Sequence, residues 1–88
     1  MLEKSVTIKN KMGLHARPAA MLVQAASQFK SKIKILKGDQ EVDGKSIMGL
    51  MTLAASSGSS LGFVVDGDDE EKAMNVLVQL VESGFGEE

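Results

Sequence analysis

The chain contains no cysteine, no tryptophan and no tyrosine, and only three phenylalanines among its 88 residues. Without cysteine there is no disulfide framework, no thiolate zinc site and no cysteine nucleophile, a usage that fits a reducing compartment. So few aromatic rings leave almost no platform on which nucleic-acid bases would stack. The net charge of −2 and the isoelectric point near 5.4 argue in the same direction. No apolar run approaches the ~20 residues of a membrane span. Met1-Leu2-Glu3-Lys4 also lacks the basic and apolar regions of a signal peptide. The expectation is a cytoplasmic protein, a single domain over residues 1–88 with one modest core. Scarcity also concentrates. The only histidine, the only arginine and the only proline all fall within His15-Ala16-Arg17-Pro18.

Charge is distributed unevenly. Residues 1–65 carry nine basic against four acidic groups, whereas residues 66–88 carry one lysine against eight acidic groups. A positive body with an acidic end is able to steer an acidic protein partner, or the acids simply solvate and cap a last helix. Apolar spacing sets the elements. Leu2, Val6 and Ile8 share one parity over residues 2–9, a half-buried strand. Asn10 to Gly13 is turn chemistry. From Ala16 to Phe29 the period becomes helical, with Ala19, Leu22, Val23, Ala26 and Phe29 on one face. Pro18 is tolerated because first-turn N–H groups have no intrahelical acceptor, so the helix begins near His15 or Ala16. Ile33 and Ile35 mark a second strand over Lys32 to Lys37, Gly38-Asp39 a two-residue hairpin, and Gln40 to Asp43 its return. Ser46 precedes a short helix through Leu53, and Leu61, Phe63 and Val65 form a fourth strand despite Gly62. Asp68 with Glu71 makes a capping-box pattern for a last helix, with a stripe of Ala73, Leu77, Leu80 and Val81 closed by Gly84. The order β-α-β-β-α-β-α, with one apolar parity per strand, predicts an α+β open-faced sandwich with three helices on one face.

His15 is the first chemical candidate. A lone histidine at a helix start is either a cap or a reactive group. The backbone N–H groups of Ala16 and Arg17 and the helix dipole make an anion site there. The Arg17 guanidinium adds a planar fork of donors, and Gly13 permits a tight turn into the helix. Positive surroundings favour the neutral, nucleophilic imidazole and would stabilise a phosphoryl group once attached. A metal site is not indicated, because there is one histidine and no acidic residue from Lys4 through Gly38. Neither a nucleophile elbow nor a phosphate-cradling Gly-x-x-x-x-Gly-Lys occurs, and no cofactor is implied. Ser46 is the second candidate, as a helix N-cap, a phosphorylation site, or both. Ile47, Met48 and Met51 are the third. Leu50 and Leu53 are better placed to fill the core, which leaves these three either as further core or as a flexible apolar docking patch.

The run Gly13-Leu14-His15-Ala16-Arg17-Pro18-Ala19 resembles the active-site signature of HPr, the histidine-containing phosphocarrier family of the bacterial phosphotransferase system. Lys45-Ser46-Ile47-Met48-Gly49-Leu50-Met51-Thr52-Leu53 is similar to the family's second signature, around its regulatory serine. The resemblance covers essentially the whole chain. It implies a four-stranded antiparallel sheet of order 1-4-2-3. It also implies a carrier rather than an enzyme, with His15 taking phosphate at Nδ1 from phosphorylated enzyme I, whose donor is phosphoenolpyruvate. The phosphate then passes to sugar-specific IIA domains. By the same resemblance Arg17 assists the phosphoryl group, and Ile47, Met48 and Met51 help to dock partners. Ser46 matches the site of the ATP-dependent HPr kinase/phosphorylase, whose phosphate weakens docking of enzyme I and in some lineages favours a catabolite-control repressor. A carrier that docks serially is expected to be a monomer. Ala54 stands where many members have glycine, Gly62 interrupts the fourth strand, and the run Ala54 to Ser60 lacks the lysine or glutamine often found there. His15 separates the chain from a regulatory paralogue that has glutamine at this position. A nitrogen-branch paralogue shares the histidine signature, and a pure binding module or an anion sensor would use the same residues differently.

Overall fold

In the computed structural model, which describes residues 1–87, alternating strands and amphipathic helices build one sheet with helices on one face. The strands are β1 (Leu2–Thr7), β2 (Lys32–Lys37), β3 (Gln40–Asp43) and β4 (Ser60–Asp66). The helices are α1 (Ala16–Ser27), α2 (Ile47–Thr52) and α3 (Glu70–Glu82), followed by a 3-10 turn at Gly84–Gly86. The strand order is β1-β4-β2-β3 and every pairing is antiparallel. This is the α+β open-faced sandwich expected from the sequence.

Register explains the core. Val6 lies opposite Leu61, Ile33 opposite Val65 and Ile35 opposite Phe63, so the apolar parity of each strand falls on one face. Ala19, Leu22 and Ala26 of α1, Leu50 of α2, and Ala73, Leu77 and Val81 of α3 bury themselves against that face. Each fully buried Leu, Ile or Phe contributes about 1.5–3 kcal/mol of apolar burial. Lys4 faces Phe63 across the ladder yet remains exposed on the edge strand. A charge on an edge strand discourages another chain from pairing there. Lys37 pairs with Gln40, so Gly38-Asp39 is the tight hairpin that the sequence indicates.

The boundaries differ from expectation in three places. α1 ends at Ser27 because the Gln28 and Phe29 amides bond to Ala25 and Ala26, tightening the last turn. β1 stops at Thr7, and Ile8 instead bonds across the loop to Ser59 and Gly58. The Asp68–Glu71 capping box does not form. Asp69 occupies the N-cap position of α3 without capping it, since its carboxylate accepts from the Lys30 and Ser31 amides at 2.8 and 3.0 Å and from the Ser31 hydroxyl. Glu70 instead reaches back to the Gly67 amide at 3.1 Å. The stripe of α3 is also wider than predicted, because Met74 and Val78 are buried while Leu80 is only partly so.

Candidate functional site

The segment between β1 and α1 fixes the site. Gly13 adopts φ +69°, and a Cβ there would lie 2.6 Å from the Ala55 carbonyl oxygen and 2.9 Å from Ser56 Cα. Only glycine combines that turn with that approach. The same Ala55 carbonyl accepts from the Leu14 amide at 2.8 Å, which pins the chain one residue before His15. Asn10, 3% exposed, donates from Nδ2 to the Gly13 carbonyl at 2.7 Å and closes the turn from inside. His15 then takes extended backbone angles at the N-cap of α1, and its carbonyl accepts from the Ala19 amide.

His15 caps the helix by backbone alone; its side chain makes no capping hydrogen bond. The imidazole Nε2 lies 3.1 Å from Oε2 of Glu87, in the tail after α3. An ionised carboxylate is acceptor-only, so this contact is a hydrogen bond in the Nε2–H form of the ring. The other oxygen of Glu87 accepts from Asn10 Nδ2 at 2.9 Å. Ala16 and Arg17 head the helix with amide N–H groups that have no intrahelical acceptor, and no acidic residue occupies the first turn. Arg17 is exposed and enters none of the ion pairs among the described residues. Pro18 is buried in the first turn of α1. The helix head offers an anion two backbone donors beside a half-exposed imidazole, with the exposed Arg17 two residues along the chain.

Ser46 lies at the start of α2, which packs against α1. Its Oγ accepts from the Gly49 amide at 3.1 Å. Leu50 and Leu53 are buried, whereas Ile47, Met48 and Met51 are 41, 76 and 43% exposed. The structure thus places His15 and Arg17 at the head of one helix, and Ser46 with the apolar patch on its neighbour. Among the described residues no three His, Asp or Glu side chains converge as a metal site. No helix is long and apolar enough to cross a membrane. Two members of the histidine cluster escape sequence reasoning. Asn10 reads as one residue of a turn, and Glu87 as one acid in an acidic end; no spacing links positions 10, 15 and 87.

A family model described as "PTS HPr component phosphorylation site" matches residues 2–83. The chain is 51% identical over 87 residues to the phosphocarrier protein HPr of Neisseria meningitidis, covering 99% of this chain and 98% of that one. The chain belongs to the HPr family. It is a phosphocarrier-type protein of the phosphotransferase system and not an enzyme with turnover of its own. An HPr crystal structure from Thermoanaerobacter tengcongensis superposes with a TM-score of 0.96 at 53% identity, covering 100% of this chain and 99% of that one. The family also includes HPr-like proteins named Crh. The one from Halalkalibacterium halodurans is 50% identical over 82 residues, covering 93% of this chain and 98% of its own.

Proposed function

We propose that this HPr-family chain acts as one domain that receives a phosphoryl group on His15 Nδ1 from phosphorylated enzyme I and delivers it to sugar-specific IIA domains. The observation that carries the reading is the position of His15, with Nε2 already engaged and Arg17 and two free helix amides at hand. The Nδ1 lone pair attacks phosphorus while the donor's bond to phosphorus breaks. The guanidinium of Arg17 and the amides of Ala16 and Arg17 hold the phosphoryl oxygens. Ile47, Met48 and Met51 form the surface on which enzyme I and the IIA domains dock in turn, and the carrier works as a cytoplasmic monomer. Ser46 is the site of a separate phosphate from an ATP-dependent HPr kinase/phosphorylase, and a catabolite-control repressor is a further partner of that form. The nitrogen-branch paralogue shares the histidine signature and differs in its acceptor, so transfer from His15 to a sugar-specific IIA domain separates the two.

Phosphoenolpyruvate and enzyme I are expected to place one acid-labile phosphate on the protein, seen as a phosphoramidate signal by phosphorus NMR. His15→Ala is expected to abolish it. Equal labelling of that variant would move the acceptor elsewhere, and reversible binding of free phosphate alone would make the domain an anion sensor. The kinase with ATP is expected to add an acid-stable phosphate that disappears in Ser46→Ala.

A further inference from the structure

We propose that Met12, Met48 and Met51 are sites of reversible oxidation to the sulfoxide, and that this modification weakens docking of enzyme I without touching the histidine. The inference deepens the carrier reading and rests on it.

The six methionines divide by burial. Met74 is 5% exposed inside α3, and Met21 is half-buried on α1, packed against the core. Met1, Met12, Met48 and Met51 are open to solvent, at 69, 73, 76 and 43%. The only other large apolar side chains so exposed among the described residues are Ile47 and Val76. The exposed apolar surface is therefore mostly thioether. With no cysteine in the chain, these thioethers are also its most readily oxidised surface groups.

Three of the four gather where α1 begins. The Gly13 amide donates to the Asn10 carbonyl at 3.2 Å, which puts Met12 at the outer corner of the turn, three residues before His15. Met48 and Met51 lie on α2, and the Met51 carbonyl accepts from the Ala54 amide as the chain leaves that helix. The next carbonyl, that of Ala55, holds the Leu14 amide at 2.8 Å. One backbone clamp thus joins the segments that carry Met12 and Met51, with His15 next along the chain. Met1 stands apart, its amine paired with Asp66 and Glu70 at the opposite end of β1 from the turn.

The thioether adapts to several partners, and it is the aliphatic side chain that a peroxide converts into a polar one. The oxidant is hydrogen peroxide. A sulfur lone pair attacks one peroxide oxygen, the S–O bond forms and the O–O bond breaks. The proton on the transferred oxygen passes to the departing hydroxide, which leaves as water. Sulfur loses two electrons to the peroxide, and the carbon skeleton stays intact. The product puts a polar oxygen on a patch that a partner desolvates, and a polar group covered without a donor weakens the contact. Methionine sulfoxide reductases reverse the step, taking the oxygen off as water while two thiols become a disulfide. Because each modified side chain is already exposed, the core is left as it was.

Peroxide treatment of the full chain, followed by peptide mass mapping and transfer kinetics with enzyme I, tests the assignment. Wild type is expected to gain one oxygen on each of Met1, Met12, Met48 and Met51 before Met74 reacts. KM for phosphoryl transfer from enzyme I is expected to rise about tenfold, at unchanged kcat and unchanged urea midpoint. The two reductases, one for each sulfoxide epimer, should restore it. A triple variant with Met12→Leu, Met48→Leu and Met51→Leu, compared with itself before and after peroxide, should show no rise, because Met1 is then its only strongly exposed thioether. An equal rise in that variant would overturn the proposal, as would oxidation of Met74 as fast as of Met48, or a urea midpoint that falls with the rise in KM. If the untreated protein accepts no phosphoryl group, the carrier reading fails and takes this proposal with it. Normal acceptance that oxidation leaves unmoved overturns this proposal alone.

Discussion

Ala54 adopts φ +49°, in the left-handed region where an L-residue costs about 1–2 kcal/mol. It stands between Leu53, buried in the core, and Ala55, whose carbonyl holds Leu14. That clamp reaches the histidine: any relaxation at position 54 moves the acceptor that pins residue 14. Ala54→Gly removes the steric cost and adds about 0.5–1 kcal/mol of unfolded-chain entropy. The expected net gain is about 0.5–1 kcal/mol, read as a higher urea midpoint at unchanged slope. Gly13→Ala presses on the same contact from the other side, with an unfavourable φ and a Cβ 2.6 Å from the Ala55 oxygen. A loss of about 2–3 kcal/mol is expected. Disturbance of the His15 resonances ahead of global unfolding would mark the clamp as the link between the two positions.

The start of α3 shows how one element anchors to another. Asp69 joins the α3 start to the turn before β2, and its pKa is lowered from the ordinary carboxylate value, first by the Ser31 hydroxyl and then by the Lys30 amide. A carboxylate held below its unfolded value stabilises the fold fully above that value. The contribution is lost as pH falls through 3.8 towards the lower value of the folded state. Glu70 acts in the same sense, lowered first by the Gly67 amide and then by the terminal amine of Met1. Unfolding free energy is therefore expected to drop steeply below about pH 4, and Asp69→Asn should be less stable than wild type at neutral pH with a flatter acid limb. Parallel acid limbs in denaturant titrations would remove Asp69 from this role. The same region shows what sequence discloses. Periodicity located β1, β2, β4, α1 and α3 because side-chain burial repeats with the backbone, the Gly38-Asp39 turn located β3, and Ser46 capped α2 as its local pattern indicated. Asp68 and Glu71 carried an equally good local pattern, but Asp69 found donors 38 and 39 residues away. Phe85 and Glu87 likewise depend on a reversal that three left-handed residues create, and only two of those are glycines. Local capping is legible because both partners lie within one turn; long-range polar partners leave no spacing to find.

At the scale of the whole molecule, the acidic end is not a free appendage. Asp66 and Glu70 pair with the terminal amine, Asp69 with the turn after α1, and Glu87 with His15. These four acids are thus folded against the rest of the chain and anchor it, neither capping α3 as a capping box would nor standing free. The helix heads of α1 and α2 present Arg17 and Met48 to solvent, and in the proposed function they form the face that partners meet. Charge placed on this face should then control docking without touching the histidine chemistry. Ser46 allows charge and capping to be separated. Ser46→Ala removes the bond to the Gly49 amide and is expected to cost about 1 kcal/mol, leaving the rate of phosphoryl acceptance unchanged. Ser46→Asp retains a capping oxygen, so stability should stay within about 0.5 kcal/mol of wild type. Its charge sits beside the exposed patch of Ile47, Met48 and Met51, and KM for transfer from enzyme I is expected to rise about tenfold. Added salt should recover part of that loss, because a charge on an exposed face is screened within about 10 Å at 0.1 M ionic strength. Loss of kcat instead, insensitive to salt, would mean that position 46 acts on His15 through the α1–α2 packing and not through the surface that partners meet.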